Sequence, residues 1–308
     1  MKISNKLFTK NTLLIFIICI LILGSGGYLT YKKLSSHNAS TIQNTTTDND
    51  NISDSNTSIN NDNNTPSSDK SEQENQAPEK NINLINENIG VPVLYYHSVQ
   101  QTEDNEVTIS PQKLRNELKY IKDSGYTTIT MHELQDHLLN NSPIPEKSIV
   151  ITFDDGYMNN YTNAFPILKD LGMKATIFCI TFKLDGQYYL SEHAIKEMSN
   201  YGIDIESHTA GHPDLSTMTY EQQLSEFKES KETLEAITGK PVTTVAYPYG
   251  NYNADSMKAA KDAGFNLGFT TKLGLADRDD NPFSLDRIYV NSNYTMDTFK
   301  NLLSNTKK

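Results

Sequence analysis

From Val91 onward the chain alternates two hydrophobic patterns. Short runs that are mostly apolar, β-branched or aromatic are separated by longer stretches in which apolar residues return every three or four positions. The short runs are VPVLYYH (91–97), SIVITF (148–153), KATIFCI (174–180), IDIESH (203–208), VTTVAYP (242–248), FNLGFTT (265–271) and RIYV (287–290), and each predicts a strand. The stretches between them predict helices with recognisable punctuation. Ser110 and Pro111 open one that Gly125 closes, and others lie near 132–140, over 159–171 ahead of Gly172, near 191–200, from Thr219 to Ile237, over 253–263 and near 295–304. Regular alternation of strand and helix implies a parallel sheet or barrel. About seven such units in the 220 residues 89–308 favour an α/β, distorted (β/α)7-type barrel over an eightfold one. In such folds chemistry sits at the C-terminal ends of strands. That rule singles out His97, Asp154–Asp155, His208–His212 and Tyr247–Gly250.

The first 88 residues follow neither pattern. Lys2, Lys6 and Lys10 precede an uncharged run from Leu13 to Tyr31 that is almost purely aliphatic as far as Leu23. Nineteen residues at about 1.5 Å each span roughly 28 Å, enough to cross a hydrocarbon core. Residues 1–35 are therefore expected to form a single-pass membrane anchor with its N-terminus inside, leaving the following domain extracellular. Ser25, Gly26 and Gly27 would also suit a signal peptidase, and cleavage there would make the protein secreted. Cys19 reads as an ordinary apolar residue of this run. Residues 36–88, rich in Asn, Ser, Thr and Asp, cannot bury enough apolar surface to offset their ordering entropy and predict a disordered linker. Its root-mean-square reach would be roughly 40 Å.

Charge and cysteine content narrow the function classes. The chain carries 27 Lys and Arg against 38 Asp and Glu, a net −11. A net-acidic domain argues against nucleic acid, whose phosphates call for a basic face. Two cysteines are too few for a disulfide scaffold or a cysteine zinc knuckle. A monomer is expected.

Two constellations carry candidate chemistry. Asp154 and Asp155 end the strand SIVITF, and adjacent carboxylates repel unless a cation or shared proton relieves them. Because neighbouring side chains diverge, one can bind a metal while the other moves protons, although Asp-Gly is also ordinary turn chemistry. His208 and His212, in SHTAGH after the fourth strand, stand four apart, a usual separation for two metal ligands. Thr209 occupies the place where helical zinc proteases need Glu, and Gly211 and Pro213 predict a loop. Two histidines and one carboxylate make a three-ligand site with a position open for water. His132 and His137 read as solvated positions of an amphipathic helix, and neither they nor His37 and His193 are ligand candidates.

TFDDG (152–156), SHTAGH (207–212) and AYPYG (246–250) resemble, in order and at strand ends, the first three motifs of the polysaccharide deacetylases of carbohydrate esterase family 4. The resemblance implies Asp154 as general base and Asp155, His208 and His212 as ligands of a divalent metal, zinc first, with cobalt or nickel also acceptable. It implies that the Tyr249 backbone N–H faces the developing oxyanion. The chain departs from the family pattern in three places. Ala246 stands where the third motif begins with Arg, there is no Trp for the fourth motif, and no His follows His212. LYYHS (94–98) resembles the exported poly-N-acetylglucosamine deacetylases, in which a His at the end of the first strand takes the place of the late one. That assigns His97 as general acid and leaves Arg287 as the candidate to orient Asp154. The function implied is extracellular, metal-dependent removal of N-acetyl groups from a polymer containing N-acetylglucosamine. Poly-N-acetylglucosamine comes first, then peptidoglycan or chitin oligomers. The alternatives are a glycan-binding module of the same fold and an O-acetyl, xylan-type esterase.

Overall fold

In the computed structural model, which describes residues 82–102 and 105–307, each predicted strand is present. They are β1 (Val93–Tyr96), β2 (Ser148–Phe153), β3 (Thr176–Cys179), β4 (Asp204–Ser207), β5 (Thr244–Ala246), β6 (Leu267–Leu273) and β7 (Leu285–Tyr289). Each is hydrogen-bonded in parallel to its neighbours in the order β1-β7-β6-β5-β4-β3-β2, and β2 pairs with β1 again. The sheet is thus a closed seven-stranded barrel. At the seam the register runs from Val93↔Val150 to Tyr96↔Phe153, and the Asp154 N–H continues it to the Tyr96 carbonyl at 2.9 Å. His97 and Asp154 therefore leave their strands at the same level of the rim.

Seven helices among the described residues pack outside: α1 (Pro111–Asp123), α2 (Met131–Asn140), α3 (Phe165–Leu171), α4 (Glu192–Tyr201), α5 (Tyr220–Thr238), α6 (Ala254–Asp262) and α7 (Met296–Asn305). Their starts follow the expected chemistry. Ser110 accepts the Lys113 N–H, and Thr130 with Glu133 and Thr219 with Gln222 form capping boxes. Alternation along the strands divides the core in two. Ile149, Ile151 and Phe153 of β2 join Leu114, Leu118 and Leu168 in the layer under the helices. Val150 instead joins Val93, Phe178, Phe269 and Leu285, contributed by different strands, inside the barrel. Thr152 and Asp154 continue that inward face and bring polar groups to the top of an apolar interior.

The helix expected over 159–171 is divided. A π-turn, Asn160–Ala164, precedes α3, and Pro166 lies in the first turn of α3. Proline has no N–H to offer the carbonyl four residues back, so the chain widens there. Residues 82–88, which composition assigns to the linker, are part of the ordered domain. Leu84–Ile85 pairs antiparallel with Ile144–Pro145, and Arg278 donates to the Asn86 carbonyl and, from its backbone, to Asn88. Two-residue strands leave no readable pattern in a polar sequence. The expectation that His137 is solvated is also corrected. It is fully buried, with Nδ1 2.9 Å from the Ser142 carbonyl and the Arg278 guanidinium against its ring. The expected membrane span and the linker up to residue 81 lie outside the described residues, among which no helix is long and apolar enough to cross a membrane.

Candidate metal centre and catalytic site

Asp155, His208 and His212 converge at the rim although β2 and β4 are not neighbours in the barrel. The Asp155 Oδ1 lies 3.5 Å from His208 Nε2 and 3.4 Å from His212 Nε2. Two ligand atoms each about 2.0–2.1 Å from one tetrahedral ion stand about 3.4 Å apart, so the spacing fits a single cation. The donor chemistry fits as well. His208 Nδ1 is 2.8 Å from the Ala246 carbonyl, to which it can only donate, leaving Nε2 free to ligate. Burial first, and then His208, holds the His212 imidazole down at about 4, so it is neutral, the form a metal requires. Tyr157 supports the third ligand. Burial and a hydrogen bond to the Asp155 carboxylate both push its phenol up, keeping it a proton donor.

Backbone strain collects at the same place. Among the described residues, Asp155, Thr209, His212, Tyr249 and Asn141 are the non-glycine residues in the left-handed region, with φ of 72°, 66°, 62°, 60° and 57°. Asn141 caps α2, and the other four are two members of the triad, Asp155 and His212, with Thr209 and Tyr249 beside them. Such conformations persist where the surrounding structure over-determines them, which is usual at functional sites. Here the Thr209 Oγ1 accepts the His212 N–H at 3.0 Å, and the Ser207 Oγ accepts the Thr209 N–H at 3.1 Å.

Asp154, beside the triad, is 2% exposed. Arg287, wholly buried on the inner face of β7, donates Nη1–H to Oδ1 and Nη2–H to Oδ2, each at 2.8 Å. Burial alone would push the Asp154 carboxyl up. The Arg287 guanidinium, with His208 and His97, outweighs burial and holds it at about 2. Arg287 is fixed in turn by an Nε–H bond to the Thr270 carbonyl at 3.0 Å and by lying 4.2 Å above the Tyr95 ring.

His97, two residues after Tyr95, sits edge-on to two rings, Tyr95 at 5.9 Å and Tyr289 at 6.2 Å. Burial, the largest influence, lowers its imidazole below the ordinary 6.5, although Asp154 and Asp155 pull the other way. Its backbone is clamped by the Asn-rich segment after Asp155, which the sequence reading passed over. Asn160 donates to the His97 carbonyl at 2.7 Å, Asn163 to the Val99 carbonyl at 2.7 Å, and the Asn159 Oδ1 accepts the Val99 N–H at 2.9 Å. The signal was the spacing of three asparagines directly after a strand-end diacid. Tyr249, in the turn Pro248–Gly250, rests its ring on His212 with centroids 4.5 Å apart.

A family profile described as polysaccharide deacetylase matches residues 141–268. The Bacillus subtilis protein YxkH, which carries that family's name, is 39% identical over 200 residues, covering 65% of this chain and 71% of its own. The chain belongs to the polysaccharide deacetylase family. The poly-β-1,6-N-acetyl-D-glucosamine N-deacetylase of Staphylococcus epidermidis is 28% identical over 255 residues, 74% of this chain and 86% of its own. Among solved structures, the Streptococcus pyogenes deacetylase PplD in complex with acetate is 30% identical with a TM-score of 0.67, covering 72% of this chain and all of that one. Polysaccharide deacetylases are metal-dependent hydrolases of carbon–nitrogen bonds in carbohydrate, and this chain is an enzyme of that class. The matched stretch contains Asp154, Asp155, His208, His212 and Tyr249. His97 and Arg287 fall outside it, yet the barrel closes so that both stand at the same rim.

Proposed function

We propose that this polysaccharide deacetylase removes N-acetyl groups from an extracellular polymer of N-acetylglucosamine, the β-1,6-linked polymer ahead of peptidoglycan or chitin oligomers. The observation that carries the reading is the bidentate Arg287–Asp154 pair set directly beside the Asp155, His208 and His212 cluster. A binding module would have no use for a carboxylate kept ionised next to three convergent metal donors. The preference for the β-1,6 polymer is supported by the Staphylococcus epidermidis relative named for it.

Asp155, His208 and His212 would hold a divalent cation, zinc first and cobalt or nickel by the same donor set, which supplies Lewis acidity toward an acetamide carbonyl and water. The remaining work belongs to the chain's own residues. Asp154, ionised at any working pH, takes the proton of the attacking water while Arg287 fixes the plane of its carboxylate. The Tyr249 N–H offers a donor to the oxygen that becomes anionic. His97 in its protonated form gives a proton to the departing nitrogen, because an amide anion is a poor leaving group; burial lowers its pKa, so this acid form gives way as pH rises toward neutrality.

The domain would work outside the cytoplasm on a tether anchored by the apolar run 13–31. Support for that part is the order of Lys residues, apolar run and polar linker in the sequence. Stripping metal with a chelator, restoring zinc and measuring acetate release from β-1,6-linked oligomers, peptidoglycan, chitin oligomers and acetylxylan tests the reading. The expected result is zinc-dependent release, fastest from the β-1,6 oligomers and lost in Asp154→Asn. Release from none of them overturns it, and preference for acetylxylan replaces it with O-deacetylation.

A further inference from the structure

The loop between β3 and α4 is fastened at both ends to the loops that carry the metal-binding side chains. At one end the Thr181 and Phe182 N–H groups donate to the Thr209 and Ala210 carbonyls at 3.3 and 2.9 Å, within the His208–His212 segment. At the other end Leu190 N–H donates to the Gly156 carbonyl and Met158 N–H to the Tyr188 carbonyl, both at 2.9 Å, just after Asp155. Between them the Asp185 Oδ1 accepts the N–H groups of Gln187, Tyr188 and Tyr189 at 2.8, 3.0 and 3.0 Å. Because β3 lies between β2 and β4, this loop occupies the rim between Asp155 and the two histidines.

A firmly bonded loop here presents apolar surface to water. Phe182 is 62% and Tyr188 63% exposed. Tyr188 stands edge-on to Tyr157 at 5.3 Å and to Tyr189 at 5.0 Å, and Tyr157 in turn stacks on Tyr189. Phe182 lies against Gly211, where an added Cβ would come within 3.7 Å of its ring. On the far side of the histidines Tyr249, also 63% exposed, covers His212. Three open aromatic faces thus border one triad. Exposed rings held in place at the rim of a candidate catalytic site are suited to contact a ligand entering it. A pyranose ring, with an apolar C–H face and a polar edge, is the chemistry that such rings and their hydroxyl match. The chain contains no Trp, so Phe and Tyr are the large rings available for this.

We propose that Phe182 and Tyr188, on the loop between β3 and α4, form a platform for the sugar rings next to the one being deacetylated and set this chain's affinity for the oligomer. This rests on the deacetylase reading and specifies how that site holds its substrate. The test is acetate release by the zinc-loaded full chain from N-acetylglucosamine, its β-1,6-linked disaccharide and a long β-1,6-linked oligomer, with calorimetric binding of the long oligomer to the metal-free chain. Phe182→Ala and Tyr188→Ala are each expected to raise KM for the long oligomer about tenfold and weaken its binding in parallel. The value of kcat and the kinetics on the monosaccharide stay unchanged, and Phe182→Tyr and Tyr188→Phe behave as wild type. Unchanged KM and binding in the double alanine variant, with the wild type active, overturn the platform and leave the deacetylase intact. Oligomer binding that depends on the two rings in a chain releasing no acetate keeps the platform and overturns the deacetylase reading. A wild type that does not bind the oligomer overturns the platform.

Discussion

Arg287 and Asp154, 133 residues apart in sequence, meet through two parallel N–H···O bonds of 2.8 Å across the top of the barrel. Their strands are not neighbours. β1 lies between them, and the guanidinium reaches over its Tyr95 ring to arrive at the carboxylate. Ala246, which opens AYPYG on β5, accepts His208 Nδ1–H at its carbonyl. Asp154 and His208, the proposed base and metal ligand, are thus oriented from separate strands.

This pair should not tolerate partial replacement. Arg287→Met leaves a buried carboxylate without its partner and is expected to cost about 3–5 kcal/mol of stability in urea unfolding. The accompanying pH effect has a definite sign. Asp154 sits near 2 because Arg287 outweighs burial, so the wild type shows no loss of activity from its protonation at mildly acidic pH. Without the guanidinium burial dominates, the carboxyl rises, and the acid limb of kcat/KM moves to higher pH. Arg287→Lys keeps a charge but loses the two-pronged geometry, and activity should fall well below wild type.

His97→Gln should lower kcat by about 10²–10⁴-fold and leave zinc affinity unchanged, because His97 is not among the three converging donors. Asn160→Leu, which removes the amide that holds the His97 carbonyl, should reproduce part of that loss without touching the ring. Steady-state kinetics beside metal titration separates the two effects.

Gly156, directly after Asp155, is a crowded backbone position of the site. Its φ is +70°, and an added Cβ would lie 3.1 Å from the Cys179 Sγ and 3.2 Å from the Cys179 Cα. Gly156→Ala should cost at least about 1–2 kcal/mol from backbone conformation alone. The displacement passes to Asp155, so zinc affinity should fall as well. Thermal unfolding and metal titration of the same variant check both.

Glu206 predicts how stability depends on pH. Its side chain ties β4 to the start of β5, accepting the Thr243 and Thr244 N–H groups at 2.9 and 2.8 Å where the two strands pair only at Val245↔Ser207. Burial pushes its carboxyl well above the ordinary 4.5, further than those two bonds offset. The folded chain therefore keeps a proton that the unfolded chain releases, and stability falls as pH rises above 4.5. Glu206→Gln removes the titration while keeping an acceptor. Its melting temperature should decline less than that of the wild type between mildly acidic and mildly alkaline pH.

The alternating pattern made the barrel legible because each strand is an apolar run bounded by helix punctuation. SIVITF is β2 to the residue. The rule that chemistry sits at strand ends then placed His97, Asp154 and His208 on one rim before any distance was known. Four features were not legible, each for a physical reason. The π-turn at Asn160–Ala164 has a helical composition, and only Pro166 hints at the wider turn. His137 looks amphipathic in its helix, but the neighbour that buries it, Arg278, lies 141 residues away. Leu84–Ile85 is too short for a period. The left-handed φ of Asp155, Thr209, His212 and Tyr249 is imposed by tertiary bonding against local preference, so no propensity reveals it.

If the zinc-loaded chain hydrolyses an amide on a sugar, two products must appear together. Acetate and newly formed primary amine would be measured together on a β-1,6-linked N-acetylglucosamine oligomer, with Asp154→Asn as control. One amine is expected for every acetate, and neither product from the variant. Acetate without amine, or equal release by Asp154→Asn, would contradict this chemistry.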